Sequence, residues 1–329
     1  MFLYNVLMTQ AKLSKIKRSI VKDFSFFSHR GFGEKTHARY FNTQKLRYVH
    51  NQLTGLELGI QHGADTLEID LCKTKDGKIV TAHGIILQKY LSETEQEYLH
   101  KYPESLTFQE LLDWIYHQHS GISLYLELKS PVTIQELLKE ITQYAEKGRK
   151  KNNNAIISKL YQQLIVYTHD LQTIKNLIYE KQKFGLSTLQ LQIFWVSIGF
   201  ISNTDIDTIS RIGNKRCRIA GVEQGTLPWG FKPFVYFLNL PLPPFLQIKK
   251  RLKTLKTVIA CAHKKNLRFI VGTIDDPQWI RVFIKQGVNG IVPNNPSLFF
   301  QAGVTRENTQ KKDLIHYLPP SMKQRLYLK

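Results

Sequence analysis

Ala64-Asp65-Thr66-Leu67-Glu68-Ile69-Asp70-Leu71 reads as a β-strand that carries two acids two residues apart. Successive side chains of a strand point to opposite faces, so Glu68 and Asp70 share one face and their carboxylates converge on one small volume. Two like charges about 4 Å apart cost on the order of 4 kcal/mol at an effective dielectric near 20. A proton, water or a cation relieves that repulsion, and a divalent ion does so most directly. On an isolated strand the same pair would simply line a solvated face.

The surroundings favour the ion. Upstream, Phe26-Phe27-Ser28-His29-Arg30-Gly31 is an apolar strand ending in a histidine and an arginine at a glycine turn. Downstream, Lys73-Thr74-Lys75-Asp76-Gly77-Lys78 reads as a turn into a short strand, Ile79 to Ala82, that ends in His83. Leu124-Tyr125-Leu126-Glu127-Leu128-Lys129 is a further strand with an acid among apolar neighbours. Carboxylates, histidines, an arginine and a lysine thus gather at or near the ends of extended segments.

In this order and spacing the chain resembles the glycerophosphodiester phosphodiesterase family, TIM-barrel phosphodiesterases whose wider group includes phosphatidylinositol-specific phospholipase C. His29-Arg30-Gly31, Gly63-Ala64-Asp65, Glu68-Ile69-Asp70, Thr74-Lys75-Asp76-Gly77, His83 and Glu127-Leu128-Lys129 carry the likeness, and Gly287-Val288-Asn289-Gly290-Ile291-Val292 is similar to the family's final strand. The resemblance implies a divalent cation, Mg²⁺ or Ca²⁺, held by Glu68, Asp70 and Glu127. It implies acid and base roles shared by His29 and His83, and phosphate contacts from Arg30 and Lys129. The implied reaction has a glycerol hydroxyl attack phosphorus, the alcohol leave, and a cyclic phosphate open with water to give glycerol 3-phosphate. Departures from the pattern are Tyr40-Phe41-Asn42-Thr43 where Pro-Glu-Asn-Thr is usual, Gly84 in place of an aspartate, Gly272 in place of a tryptophan, and Asn294-Asn295-Pro296 in place of Asp-x-Pro. They leave the expected metal and histidine set intact and bear on substrate choice.

Eight candidate strands run Ser25 to His29, Thr66 to Leu71, Ser123 to Leu128, Leu164 to Thr168, Gln190 to Val196, Arg218 to Glu223, Arg268 to Thr273 and Gly290 to Val292. Helical stretches separate many of them, which predicts an α/β fold, a TIM (β/α)8 barrel with its reactive residues at the C-terminal strand ends. The expected organisation is a basic N-terminal extension over 1–23, the barrel over 24–300 and a basic C-terminal tail over 301–329. Ser92-Glu93-Thr94-Glu95 reads as a capping box and Thr107 to Tyr116 as a helix. Ile248, Leu252, Leu255, Ile259 and Ala262 recur at helical spacing with Lys249, Lys250, Arg251, Lys253 and Lys256 around them, predicting a helix docked by its apolar face. His169 follows the fourth strand and reads either as a residue facing the barrel mouth or as a structural histidine. His37, His50, His62, His100, His117, His119, His263 and His316 read as surface or packing residues.

Lys+Arg 46 against Asp+Glu 26 gives a net charge of +20, which points to an anionic partner or surface. No zinc-finger spacing, RNA-binding aromatic signature or arginine-rich arm suggests nucleic acid. Peripheral contact with an anionic membrane fits better, and the aromatic stretch 229–246 is placed to dip into lipid or to pack over the barrel. Cys72, Cys217 and Cys261 show neither even pairing nor metal-type spacing. Met1 to Met8 is apolar but short and lacks a basic leader, and no apolar run reaches the roughly 20 residues that cross a bilayer. The expected location is cytoplasmic or peripheral to a membrane; the sequence carries no signal of oligomeric state. Two other functions fit the same residues: a lysophospholipase D acting on acylated lysophospholipids, and a catalytically silent barrel that binds anionic membranes.

Overall fold

The computed structural model describes residues 19–20, 24–32, 50–83, 91–117, 121–129, 132–147, 153–183, 191–197, 200–213, 218–225, 244–305 and 319–321. Eight parallel strands are consecutive around a closed ring: β1 Ser25–Ser28, β2 Thr66–Lys73, β3 Ser123–Leu128, β4 Leu164–Thr168, β5 Gln192–Ser197, β6 Gly221–Gln224, β7 Arg268–Gly272 and β8 Gly290–Val292. Closure comes from β1, which pairs with β8 through Ser25↔Gly290 and with β2 through Phe27↔Thr66. This is the TIM barrel that the strand count predicts.

Alternation along each strand builds two cores. Phe27, Tyr125, Ile165, Tyr167, Phe194, Val196, Ile270 and Val292 point inward and fill the barrel. Leu67, Ile69, Leu71, Leu124, Leu126 and their counterparts point outward and pack beneath the helices, with Trp114 fully buried among them. The inner core is close-fitting at Gly221, where a Cβ would stand 2.2 Å from the Phe194 ring and 2.8 Å from the Arg268 carbonyl oxygen. Gly221→Ala is therefore expected to destabilise the protein by about 1–3 kcal/mol through overpacking. Urea denaturation checks this, and an unchanged midpoint would mean that the barrel interior can yield.

Beyond the ring, Ile79–Thr81 folds back antiparallel on the end of β2, with Leu71 opposite Thr81, through a turn whose Gly77 has φ +81°. This hairpin carries His83 back along β2 toward Asp70, whose carbonyl accepts the Ala82 N–H at 3.1 Å. The helix expected over Thr107 to Tyr116 spans Phe108–His117. The capping box lies two residues beyond the expected one: Thr94 caps Glu95–Lys101, and Glu97 reciprocates. The cationic helix spans Pro244–Lys264, burying Val258, Ile259 and Ala262 while Lys253 and Lys256 stay exposed.

Ser19–Ile20 of the N-terminal extension pairs in parallel with Val304–Thr305 of the tail. Ser321 Oγ donates to Glu110 Oε1 at 2.6 Å. The rest of both extensions, the Tyr40–Thr43 segment, Gly84 and residues 229–243 of the aromatic stretch lie outside the described residues. Among the described residues, no helix is long and apolar enough to cross a membrane.

Candidate functional site

At the C-terminal end of β1 the chain turns through left-handed backbone at Arg30 (φ +55°) and Gly31 (φ +80°). A side chain at position 31 would also meet the Gly55 backbone at 2.6 Å, so glycine is required there for both conformation and space. The turn aims the Arg30 backbone N–H at Glu68 Oε2, 2.8 Å away, and sets the Arg30 Nε 3.0 Å from Asp70 Oδ2. Asn51 then clamps Asp70 from both sides: its Nδ2 donates to Asp70 Oδ2 and its Oδ1 accepts from the Asp70 N–H, each at 2.9 Å.

Glu68 and Asp70 face the barrel interior from β2, and Asp70 lies in register with Glu127 on β3. One carboxylate oxygen from each of the three residues falls within 4.8 Å of the others. Lys129 Nζ stands 3.1 Å from Asp70 Oδ1 and 2.5 Å from Glu127 Oε1. Asp70 thus has a cationic group beside each oxygen, Arg30 at Oδ2 and Lys129 at Oδ1. Three carboxylates this close, with Glu68 and Asp70 buried, suit a hard cation such as Mg²⁺ or Ca²⁺.

The electrostatics point the same way. Burial, then the neighbouring Asp70, pushes Glu68 well above the usual carboxylate range, and burial, then Glu127, raises Asp70 despite Arg30 and Lys129. Burial also opposes the charge of Glu127, but His169 and Lys129 outweigh it and hold that carboxyl well below its usual range. Tyr167 makes the conflict concrete: its hydroxyl lies 2.7 Å from Glu68 Oε1 and 2.8 Å from Glu127 Oε2. One hydroxyl proton cannot satisfy two ionised acceptors, so the pair requires another proton or a cation.

His29 is largely buried. Its Nδ1 is 2.6 Å from Asn294 Oδ1, while the Asn294 amide is oriented by its own donation to Asp275. That orientation places the His29 proton on Nδ1 and the lone pair on Nε2, which stands 3.8 Å from Glu68 Oε2. Burial, and then the Arg30 charge, lowers its pKa to about 3. His83 sits exposed on the rim and interacts electrostatically with Asp70, Arg30, Lys129 and Glu127; partial burial lowers its pKa against the pull of Asp70. His169 faces the mouth, with Nε2 3.6 Å from Glu127 Oε1, and that carboxylate raises its pKa.

All seven residues singled out from the sequence thus belong to one neighbourhood. Sequence reasoning missed Asn51, Asn294, Tyr167, Tyr125 and Glu223. The last closes the candidate strand Arg218 to Glu223 as Glu127 nearly closes its own, a visible signal; Asn294 stood out only as a departure from the Asp-x-Pro pattern.

No protein-family model matches the chain, and no curated protein matches it either. Solved structures share its fold. A glycerophosphodiester phosphodiesterase from Parabacteroides distasonis is 17% identical, covering 85% of this chain and 97% of its own, with a TM-score of 0.53. A glycerophosphoryl diester phosphodiesterase from the same organism is 15% identical, covering 90% and 93%, also at 0.53. An Oleispira antarctica phosphodiesterase in complex with the product sn-glycerol-3-phosphate is 16% identical, covering 84% and 95%, at 0.50. At these identities the likeness establishes the barrel fold and its topology.

Proposed function

We propose that the chain is a metal-dependent phosphodiesterase that hydrolyses glycerophosphodiesters to glycerol 3-phosphate and an alcohol. The observation that carries the proposal is the cluster in which one carboxylate oxygen each of Glu68, Asp70 and Glu127 lies within 4.8 Å of the others, with Asp70 opposite Glu127 on the neighbouring strands β2 and β3. The barrel shared with phosphodiesterases, one of them holding sn-glycerol-3-phosphate, supports it.

Glu68, Asp70 and Glu127 would hold Mg²⁺ or Ca²⁺, which when bound supplies positive charge to phosphoryl oxygens in the transition state. Arg30, steered by Asp70, offers a planar guanidinium to the phosphate, and Lys129 adds a point charge from the next strand. His29, neutral and with Nε2 unprotonated, accepts the proton of the attacking glycerol hydroxyl as its oxygen bonds to phosphorus. His83 gives its proton to the alcohol oxygen as that P–O bond breaks. Water then opens the cyclic ester by the reverse transfers: His83 takes a water proton, and His29 returns its own to the glycerol oxygen.

Purified protein offered glycerophosphocholine and a lysophospholipid, with Mg²⁺, Ca²⁺ or chelator, tests this. The expected result is release of alcohol and glycerol phosphate that falls by about 10³-fold or more in chelator. Equal turnover in chelator would overturn the metal assignment. Cleavage of the lysophospholipid alone would point to a lysophospholipase D, and binding to anionic vesicles without turnover of either substrate to a silent barrel.

A further inference from the structure

Glu223 is the inward-facing acid of β6 and is 7% exposed. Its Oε2 accepts the Tyr125 hydroxyl at 2.7 Å, and among the described residues nothing hydrogen-bonds to Oε1. That oxygen packs against β7 where residue 272 has no side chain: a Cβ on Gly272 would stand 2.5 Å from Glu223 Oε1 and 2.9 Å from Val292 Cβ, so glycine is what lets the carboxylate lie there. The Tyr125 ring stacks on Tyr167 at 4.3 Å and 16°, and the Tyr167 hydroxyl spans Glu68 and Glu127. Glu223 is thus joined to the carboxylate cluster through two rings on the inner wall of the barrel.

Building on the phosphodiesterase reading, we infer that Glu223 is a specificity-determining residue whose Oε1 accepts a hydrogen bond from the non-attacking hydroxyl of the substrate's glycerol moiety. A buried acceptor with one oxygen already committed to a neutral donor is matched by another neutral donor. A cationic head group is the poorer match, because burial lifts Glu223 to about 7 and weakens it as a fixed counter-charge near neutrality. The position suits the part of the substrate nearest the phosphate rather than the variable alcohol, since Tyr125 and Tyr167 link Glu223 directly to the carboxylate cluster.

Calorimetry with sn-glycerol 3-phosphate and 2-hydroxypropyl phosphate, in the presence of Mg²⁺ or Ca²⁺, tests the inference by binding alone. The two esters share a phosphate, a three-carbon chain and the attacking hydroxyl, and differ only in the terminal hydroxyl. Wild type is expected to favour glycerol 3-phosphate by about tenfold, the worth of one buried hydrogen bond. Glu223→Leu is expected to cut the preference to about twofold or less without weakening 2-hydroxypropyl phosphate, and Glu223→Gln, which keeps an acceptor oxygen, to retain most of it. Gly272→Ala gives an independent check by crowding Oε1, with loss of the preference expected again. A preference that survives in both Glu223→Leu and Gly272→Ala overturns the inference. Equal binding of the two esters by wild type also overturns it while leaving the phosphodiesterase reading standing. Binding of neither ester by the metal-loaded protein removes both.

Discussion

Asp70→Asn is expected to reduce turnover by about 10³-fold or more while raising the thermal midpoint of the metal-free protein. The orientation of the new amide follows from its neighbours. Two donors, Asn51 Nδ2 and Arg30 Nε, face the Oδ2 position and one, Lys129 Nζ, faces Oδ1, so the amide oxygen belongs at Oδ2 and the NH2 group takes the place of Oδ1, turning Lys129 toward Glu127. An N–H donor would then point at the other carboxylates where a cation needs an oxygen. The sign of the stability change follows from Asp70 itself. Its folded-state pKa is raised by burial and by Glu127 even with Arg30 and Lys129 beside it. A raised carboxyl contributes stability below its unfolded pKa and loses it as pH rises through the folded value, so ionisation of Asp70 costs the metal-free fold stability on the alkaline side of that window. The amide never ionises and carries no such cost. Each 1 kcal/mol recovered is worth about 2–4 °C in a domain of this size. Thermal melts with and without Mg²⁺ or Ca²⁺ check both halves: the variant should start higher and gain nothing from metal. A lower metal-free midpoint, or an intact metal-induced rise, would contradict the account.

The eight strands were legible because a closed barrel asks the same thing of each: short runs of apolar residues flanked by turns, with helices between. Their bounds were less legible. Arg218 to Ala220 look like strand in composition, yet β6 begins only at Gly221, after an isolated bridge between Gly213 and Arg218. The capping box moved because the sequence offers two overlapping frames, Ser92 with Glu95 and Thr94 with Glu97. Local pattern cannot choose between them; the phase of the helix does.

In the candidate site, alternation along one strand was enough to put Glu68 and Asp70 together. Bringing in Glu127 needed strand adjacency, which spacing alone does not give and the family resemblance supplied. Asn51 and Asn294 were illegible for a different reason. Their work is to orient Asp70 and His29, partners 19 and 265 residues away, and an asparagine near a turn looks the same whether or not such a partner exists. Glu223 and Tyr167 were hidden differently again: each has the composition of an ordinary strand residue, and only the inward face of the barrel reveals what it meets.

His29→Gln is expected to reduce turnover by about 10²–10⁴-fold and to flatten part of the acid side of the stability profile. Both effects come from the same burial. Held to about 3 by burial and by Arg30, the ring stays neutral in the fold over most of the pH range, with its base nitrogen available. In the unfolded chain the imidazole recovers a value near 6.5 and takes up a proton as pH falls through it. The unfolded state therefore binds more protons between about 3 and 6.5, and the wild-type fold loses stability across that window. A bound cation beside Glu68 would add positive charge and act in the same direction. Glutamine does not titrate, so the variant lacks this component. Urea midpoints for the two proteins should differ by a constant amount above about pH 7, with wild type losing ground progressively as the pH is lowered. A difference that stays constant down to about pH 4.5 would mean that His29 is protonated in the fold, and the neutral base assigned to it would have to be given up.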